Sequence, residues 1–141
     1  MKKLTYASLL FSALLMLTSC APAPDTATEE NEQAVVQAEY IKISAAEAKA
    51  MIDNEDVIIL DVRTQEEFEE SRIEGALLIP DYEIKELAED LLPDKEATIL
   101  VYCRTGRRSE LASRALIEMG YQNVYDFGGI VDWDYETISG K

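Results

Sequence analysis

The sequence predicts an α/β fold with a mainly parallel five-stranded sheet flanked by helices on both faces. Three observations carry this expectation. Short apolar runs alternate with segments of helical period from residue 39 to residue 141; two of those segments open on Ser/Thr-x-x-Glu boxes; and Pro80, Pro93 and Gly120 punctuate the pattern. About 100 residues is enough for one domain with one core, and right-handed crossovers leave few other arrangements.

Each element has its own local reason. Tyr40 to Ile43 reads as a first strand, and Ser44-Ala45-Ala46-Glu47 is a capping box with Ala48, Met51 and Ile52 on one helical face behind it. Asp56 to Asp61 is an apolar run bounded by acids, as a buried parallel strand should be. Thr64-Gln65-Glu66-Glu67 is a second box, opening a helix to about Arg72 with Phe68 facing inward. Ala76 to Ile79 reads as a strand stopped by Pro80, and Ile84, Leu87, Ala88 and Leu91 mark a helix closed by Pro93 and Asp94. Ala97 to Tyr102 is the most apolar strand. Leu111, Ala112, Ala115, Leu116 and Met119 recur at helical spacing after it, and Gly120 suits the C-terminal cap. A last strand near Asn123 to Tyr125 leads to Gly128-Gly129 and Trp133, read as turn and core, or as a roof over a pocket.

The chain begins with Lys2 and Lys3, an apolar run from Leu4 to Leu17, and Leu17-Thr18-Ser19-Cys20. That is the pattern of an export signal at residues 1–19, too short to span a bilayer comfortably. Leu17 to Cys20 resembles a bacterial lipobox, which implies cleavage before Cys20, diacylglyceryl attachment to its sulfur, and a lipid-anchored protein outside the cytoplasm, on a periplasmic face or cell surface. The alternative is an ordinary cleaved signal with an incidental cysteine. Residues 20–38, with Pro22, Pro24, Asp25, Glu29, Glu30 and Glu32, read as the lipidated cysteine and a flexible acidic linker. A coil of that length spans on the order of 20 to 25 Å.

Formal charge is −15, and loss of Lys2 and Lys3 with the signal makes the chain more negative still. Such a protein is a poor partner for nucleic acid. The sequence contains no histidine, which excludes Cys-His and Ser-His-Asp catalysis and histidine metal sites. Only Cys20 and Cys103 exist, so with the first lipidated the second is a lone thiol. Exported cysteines usually pair, and an unpaired one points to a reactive group.

Cys103 ends an apolar strand and precedes a helix, with Arg104, Arg107 and Arg108 inside the next five residues. A core cysteine would account for the strand but not for three desolvated guanidinium groups without an anion to meet. A nucleophilic thiolate needs stabilisation, and a helix N-terminus alone gives less than about 1 kcal/mol. The rest must come from the amides of the loop Arg104, Thr105, Gly106, Arg107 and Arg108 and from arginine charge, with Gly106 supplying a positive φ and Ser109 supporting the loop from behind. Arg104 and Arg107 are placed to attract a small anion, and Arg108 to brace the loop. Asp61 ends a strand on the same sheet edge, and two readings of it stay open: the more ordinary one is a helix-entry residue with Arg63 paired to Glu67 or Glu66, and the other has Asp61 and Arg63 support the loop.

Asp61-Val62-Arg63, Glu67-Phe68, Ile73-x-Gly75-Ala76 with Ile79-Pro80, Cys103-x-x-Gly106-x-Arg108-Ser109 and Gly128-Gly129-x-x-x-Trp133 occur in that order. Together they resemble the single-domain rhodaneses, a sulfurtransferase family, from about Tyr40 to Trp133. The resemblance implies a rhodanese-like domain over residues 39–141 in which Cys103 carries a persulfide. It would take sulfane sulfur from a small anionic donor such as thiosulfate and pass it to cyanide or a thiol; an envelope protein is a separate candidate acceptor. It implies no metal or organic cofactor. One departure is Arg72, where members often carry histidine; it is expected to change surface or hinge contacts more than chemistry.

Two other function classes share the fold. A phosphatase of the dual-specificity cell-cycle type also uses a cysteine loop with arginine, but resemblance gives it five intervening residues, and Cys103 and Arg108 enclose four. A noncatalytic or redox-sensing binding module is the other; inactive relatives commonly lack the cysteine, which is present here. A persulfide carrier performs the same half-reaction as the enzyme.

Overall fold

A computed structural model describes residues 39–140. The expected signal at 1–19, the lipid on Cys20 and the linker to residue 38 lie outside the described residues.

The elements are β1 (Ile41–Lys42), α1 (Ala45–Asn54), β2 (Ile58–Asp61), α2 (Gln65–Glu70), β3 (Leu77–Leu78), α3 (Ile84–Leu91), β4 (Thr98–Cys103), α4 (Arg107–Glu118) and β5 (Asn123–Gly129). Single 3₁₀ turns lie at Asp81–Glu83 and Ile130–Asp132. Both capping boxes form: Ser44 and Thr64 each accept from the amide three residues on, and Glu47 and Glu67 reach back to the cap amides.

The strands make one parallel sheet in the order β1-β5-β4-β2-β3. From β4 the chain moves through α4 to β5 on one side, and from β2 it moves through α2 to β3 on the other. The adjacent strands β2 and β4 thus send their connections in opposite directions, which opens a crevice beyond their C-terminal ends. Asp61 and Cys103 are the last residues of those two strands.

Strand alternation sorts the core into two layers. Ile99, Val101 and Cys103 point with Leu60 and Val124 toward the layer completed by Ile84, Ala88, Ala112 and Leu116 of α3 and α4. Leu100 and Tyr102 point the other way, toward Ala48 of α1, Ile73, Phe127 and Trp133. Trp133 packs on Phe127 at 5.6 Å between ring centroids, so it is core on the face opposite Cys103 and not a roof over the thiol.

Three expected core contacts fall elsewhere. Leu91 and Leu111 are exposed. Along α3 and its C-cap the stripe Ile84, Ala88 and Leu92 takes the buried side, and in α4 it is Ser109, Ala112, Ser113 and Leu116, so Leu111 sits about 100° round the helix from its buried neighbour Ala112. Phe68 does not enter the core: α2 has no buried residue, and the Arg72 guanidinium covers the Phe68 ring at 4.6 Å. Arg72 also donates to the carbonyls of Phe68 and Gly140, and its backbone pairs with Ile138, so it fastens the C-terminal segment to the end of α2.

Candidate active site at Cys103

Cys103 is buried at the floor of the crevice, and its Sγ accepts the Gly106 N–H at 3.1 Å. Gly106 is the N-cap of α4 with φ 98°, a left-handed conformation that turns the chain back over the sulfur. Burial pushes the thiol pKa up. The amide and hydroxyl of Ser109 and the amides of Thr105 and Gly106 pull it down by more, leaving it below its ordinary value. Those amides belong to the first turn of α4 and its approach, where N–H groups have no helical acceptor of their own. Ser109 Oγ is 2.9 Å from the Gly106 carbonyl and 3.3 Å from that of Gly128, so its single proton is shared among several acceptors around the sulfur.

The loop rests on the end of β5. Gly129 pairs in register with Cys103, and a Cβ there would stand 2.4 Å from the Arg104 carbonyl and 2.7 Å from Thr105 Cα. Gly106 sits over Gly128, whose N–H is held by Asp126 Oδ1 at 2.9 Å. The Val131 N–H donates to the Arg104 carbonyl at 3.3 Å. Local sequence marks this glycine pair only as a turn. Its contact with the thiol loop depends on strand register, which local sequence does not carry.

Arg108 reaches across to α2, where its guanidinium makes two hydrogen bonds to Glu67, of 2.7 and 2.9 Å. Arg108 holds the Glu67 carboxyl down to about 2, against burial, and Glu67 Oε2 also receives the Thr64 N–H. One carboxylate therefore closes the α2 capping box and anchors the active loop. Glu67 was visible in sequence as a cap residue, but its partner lies 41 positions away. Arg104, Thr105 and Arg107 are exposed at the mouth, and among the described residues neither Arg104 nor Arg107 has an ion-pair partner.

Asp61 and Arg63 do not reach the loop. They pair with each other: Asp61 takes the Arg63 backbone N–H at 2.9 Å and its Nη2 at 2.6 Å, and Arg63 Nη2 also donates to the Ser71 carbonyl. Arg63 pairs with neither Glu66 nor Glu67, because the i, i+2 turn brings its guanidinium back onto Asp61 before it can extend along α2. Asp61 lies opposite Tyr102 in the β2–β4 register, so its side chain stands on the far face of the sheet from Cys103. Burial, with Asp61 beside it, pushes the Tyr102 hydroxyl pKa well up, and that oxygen accepts the Ile73 N–H. The network fixes the β2–α2 and α2–β3 connections, and so the place of Glu67.

Residues 44–136 match the family model of the rhodanese-like domain. The chain belongs to that family. Among relatives, this rhodanese-like chain is 40% identical over 81 residues to thiosulfate sulfurtransferase PspE of Escherichia coli strain K12, covering 57% of this chain and 78% of that one. It is 37% identical over 95 residues to thiosulfate sulfurtransferase GlpE of Coxiella burnetii, covering 67% and 87%. A tRNA uridine(34) hydroxylase of Erwinia tasmaniensis is 36% identical over 114 residues, but the match takes in only 32% of that protein. Among solved structures, one titled "rhodanese with anions from E. coli" aligns with a TM-score of 0.57 at 38% identity, over 60% of this chain and all of that one.

Proposed function

We propose that the domain is a sulfurtransferase that carries sulfane sulfur as a persulfide on Cys103. The Cys103 thiolate attacks the outer sulfur of thiosulfate; the S–S bond of the donor breaks, sulfite leaves with the electron pair, and Cys103–S–S⁻ remains. Cyanide or a thiolate then attacks the terminal sulfur, and Cys103 departs as the thiolate. The sulfur atom changes carriers twice and no external oxidant or reductant is consumed.

The observation that carries this reading is the Gly106 N–H bonded to Cys103 Sγ at the first turn of α4, where the neighbouring Thr105 and Ser109 groups help to hold the buried thiol's pKa below its ordinary value. Arg104 and Arg107 supply attraction for a dianionic donor, and Arg108, tied to Glu67, holds the loop while adding positive potential. The relatives named thiosulfate sulfurtransferase support the same chemistry. Intact mass after incubation with thiosulfate tests it. A gain of one sulfur atom, reversed by cyanide and absent in Cys103→Ser, is expected; an unchanged mass refutes it.

The same proposal places the domain outside the cytoplasm, held to a membrane by diacylglyceryl on Cys20 and spaced from it by the acidic segment that follows. The signal, lipobox-like residues and linker composition support this. Mass spectrometry of the membrane fraction should find lipid on Cys20, and an unmodified Cys20 there rules the anchor out.

A further inference from the structure

The three most exposed large apolar side chains of the described residues all border the Cys103 loop. Tyr82 is 68% exposed, Val131 61% and Leu111 55%. Tyr82 lies in the 3₁₀ turn whose Asp81 amide bonds the Val62 carbonyl just past β2, and Asp81 contributes to the field on Arg108. Val131 follows the glycine pair, and its amide holds the Arg104 carbonyl. Leu111 is one turn beyond Arg107 on α4. Single exposed apolar residues need no explanation, but these three approach one site from three separate segments.

Charge marks the same place. The chain carries −15 overall, and four of its six arginines fall between residues 104 and 114. Arg104 and Arg107 are exposed at the mouth. Cys103 itself is only 1% exposed, so an acceptor must insert its nucleophile while its surroundings rest on the rim.

We propose that this rim is a docking surface for a protein acceptor whose reactive cysteine is flanked by acidic and apolar residues. The inference rests on the sulfurtransferase reading and names its second substrate. The acidic flank meets Arg104 and Arg107, the apolar flank covers Tyr82, Leu111 and Val131, and the acceptor thiolate reaches the terminal sulfur. The acceptor S–S bond forms as the Cys103 S–S bond breaks, so the acceptor becomes the persulfide and Cys103 the thiolate. Against the acidic balance of the chain, the exposed Arg104 and Arg107 concentrate the attraction for such a partner at the mouth.

The test uses protein loaded with thiosulfate and three acceptors: cyanide, a cysteine peptide with Asp, Glu and Leu flanks, and the same peptide with Lys in place of the acids. Wild type should transfer sulfur to the acidic peptide at least about tenfold faster in kcat/KM than to the lysine peptide at low salt. The triple variant Tyr82→Ser, Leu111→Ser, Val131→Ser should lose about tenfold toward the acidic peptide and stay within about twofold toward cyanide. Equal rates for both peptides, or a triple variant that keeps the acidic-peptide rate, overturn the proposal. Loss of binding to vesicles of anionic lipid in that variant, with peptide transfer intact, assigns the rim to a membrane surface instead and also overturns it. If wild type fails with cyanide as well, it is the sulfurtransferase reading that falls.

Discussion

Glu67 of α2 and Arg108 of α4 meet in a two-bond carboxylate–guanidinium fork that ties the thiol loop to the neighbouring connection. Both side chains are less than a third exposed, so screening is incomplete. Glu67→Gln keeps the size and gives up the charge. It should cost about 1 kcal/mol of unfolding free energy and lower turnover, as Arg108 drifts from the loop. The sign with pH is fixed by a Glu67 pKa depressed from 4.5 to about 2. The pair's contribution is complete above the unfolded value and disappears as pH falls through the folded one. Urea titrations of both proteins at falling pH should therefore converge below pH 4.5. A gap that stays constant there would show that the charge pair is not its source.

Much of this architecture was legible because its causes are local. The boxes at Ser44 and Thr64 form as written, since donor and acceptor lie three residues apart. The apolar run ending at Cys103 dictates a buried central strand whatever packs around it. What escaped depends on distant partners. Arg63 chooses Asp61 and not the helix acids, and Leu111 falls outside a stripe that Ser109 and Ser113 share with Ala112 and Leu116. The register that sets Gly129 against Cys103, and the meeting of Glu67 with Arg108, require the assembled sheet.

Ser109 supplies the largest of the interactions that lower the Cys103 pKa, through its amide and its hydroxyl. Ser109→Ala keeps the amide and removes the hydroxyl, so the thiol should titrate at higher pH, in the direction burial already pushes it. Iodoacetamide alkylation followed against pH reads the midpoint directly, and wild type should titrate below the ordinary 9.0. Because the folded thiol is the stronger acid, thiolate formation stabilises the fold as pH rises through the folded pKa toward 9.0. An unmoved midpoint in Ser109→Ala would assign the effect to backbone amides alone.

The glycine pair separates steric contact from backbone strain. Gly128 has φ 88° and open space where a Cβ would go, so Gly128→Ala should cost about 1 to 2 kcal/mol and leave the thiol reactive. Gly129→Ala would drive a methyl into the Arg104 carbonyl and Thr105 Cα, backbone atoms that cannot rotate away. It should cost more than about 2 kcal/mol and abolish sulfur loading even where the chain remains folded. Thermal unfolding and thiosulfate-dependent mass gain measured on both variants decide this; equal loading would mean that the loop does not depend on that floor.

Arg63 and Asp61 form the deepest charge pair of the described residues, 4% and 0% exposed at the side chain. Burial pushes the Arg63 pKa down, and Asp61 more than reverses it, so the guanidinium stays charged. Removing the arginine leaves Asp61 buried without a cation and releases the Ser71 carbonyl at the end of α2. Arg63→Ala should therefore lose about 3 to 5 kcal/mol of stability, a larger cost than any surface ion pair would show. Its effect on chemistry should be indirect. With the pair on the far face of the sheet, alkylation of Cys103 in the folded fraction should keep nearly the wild-type pH midpoint, while Glu67 and Arg108 lose alignment and turnover drops. A large midpoint shift with little loss of stability would place Arg63 in the thiol's own field, contrary to the sheet geometry.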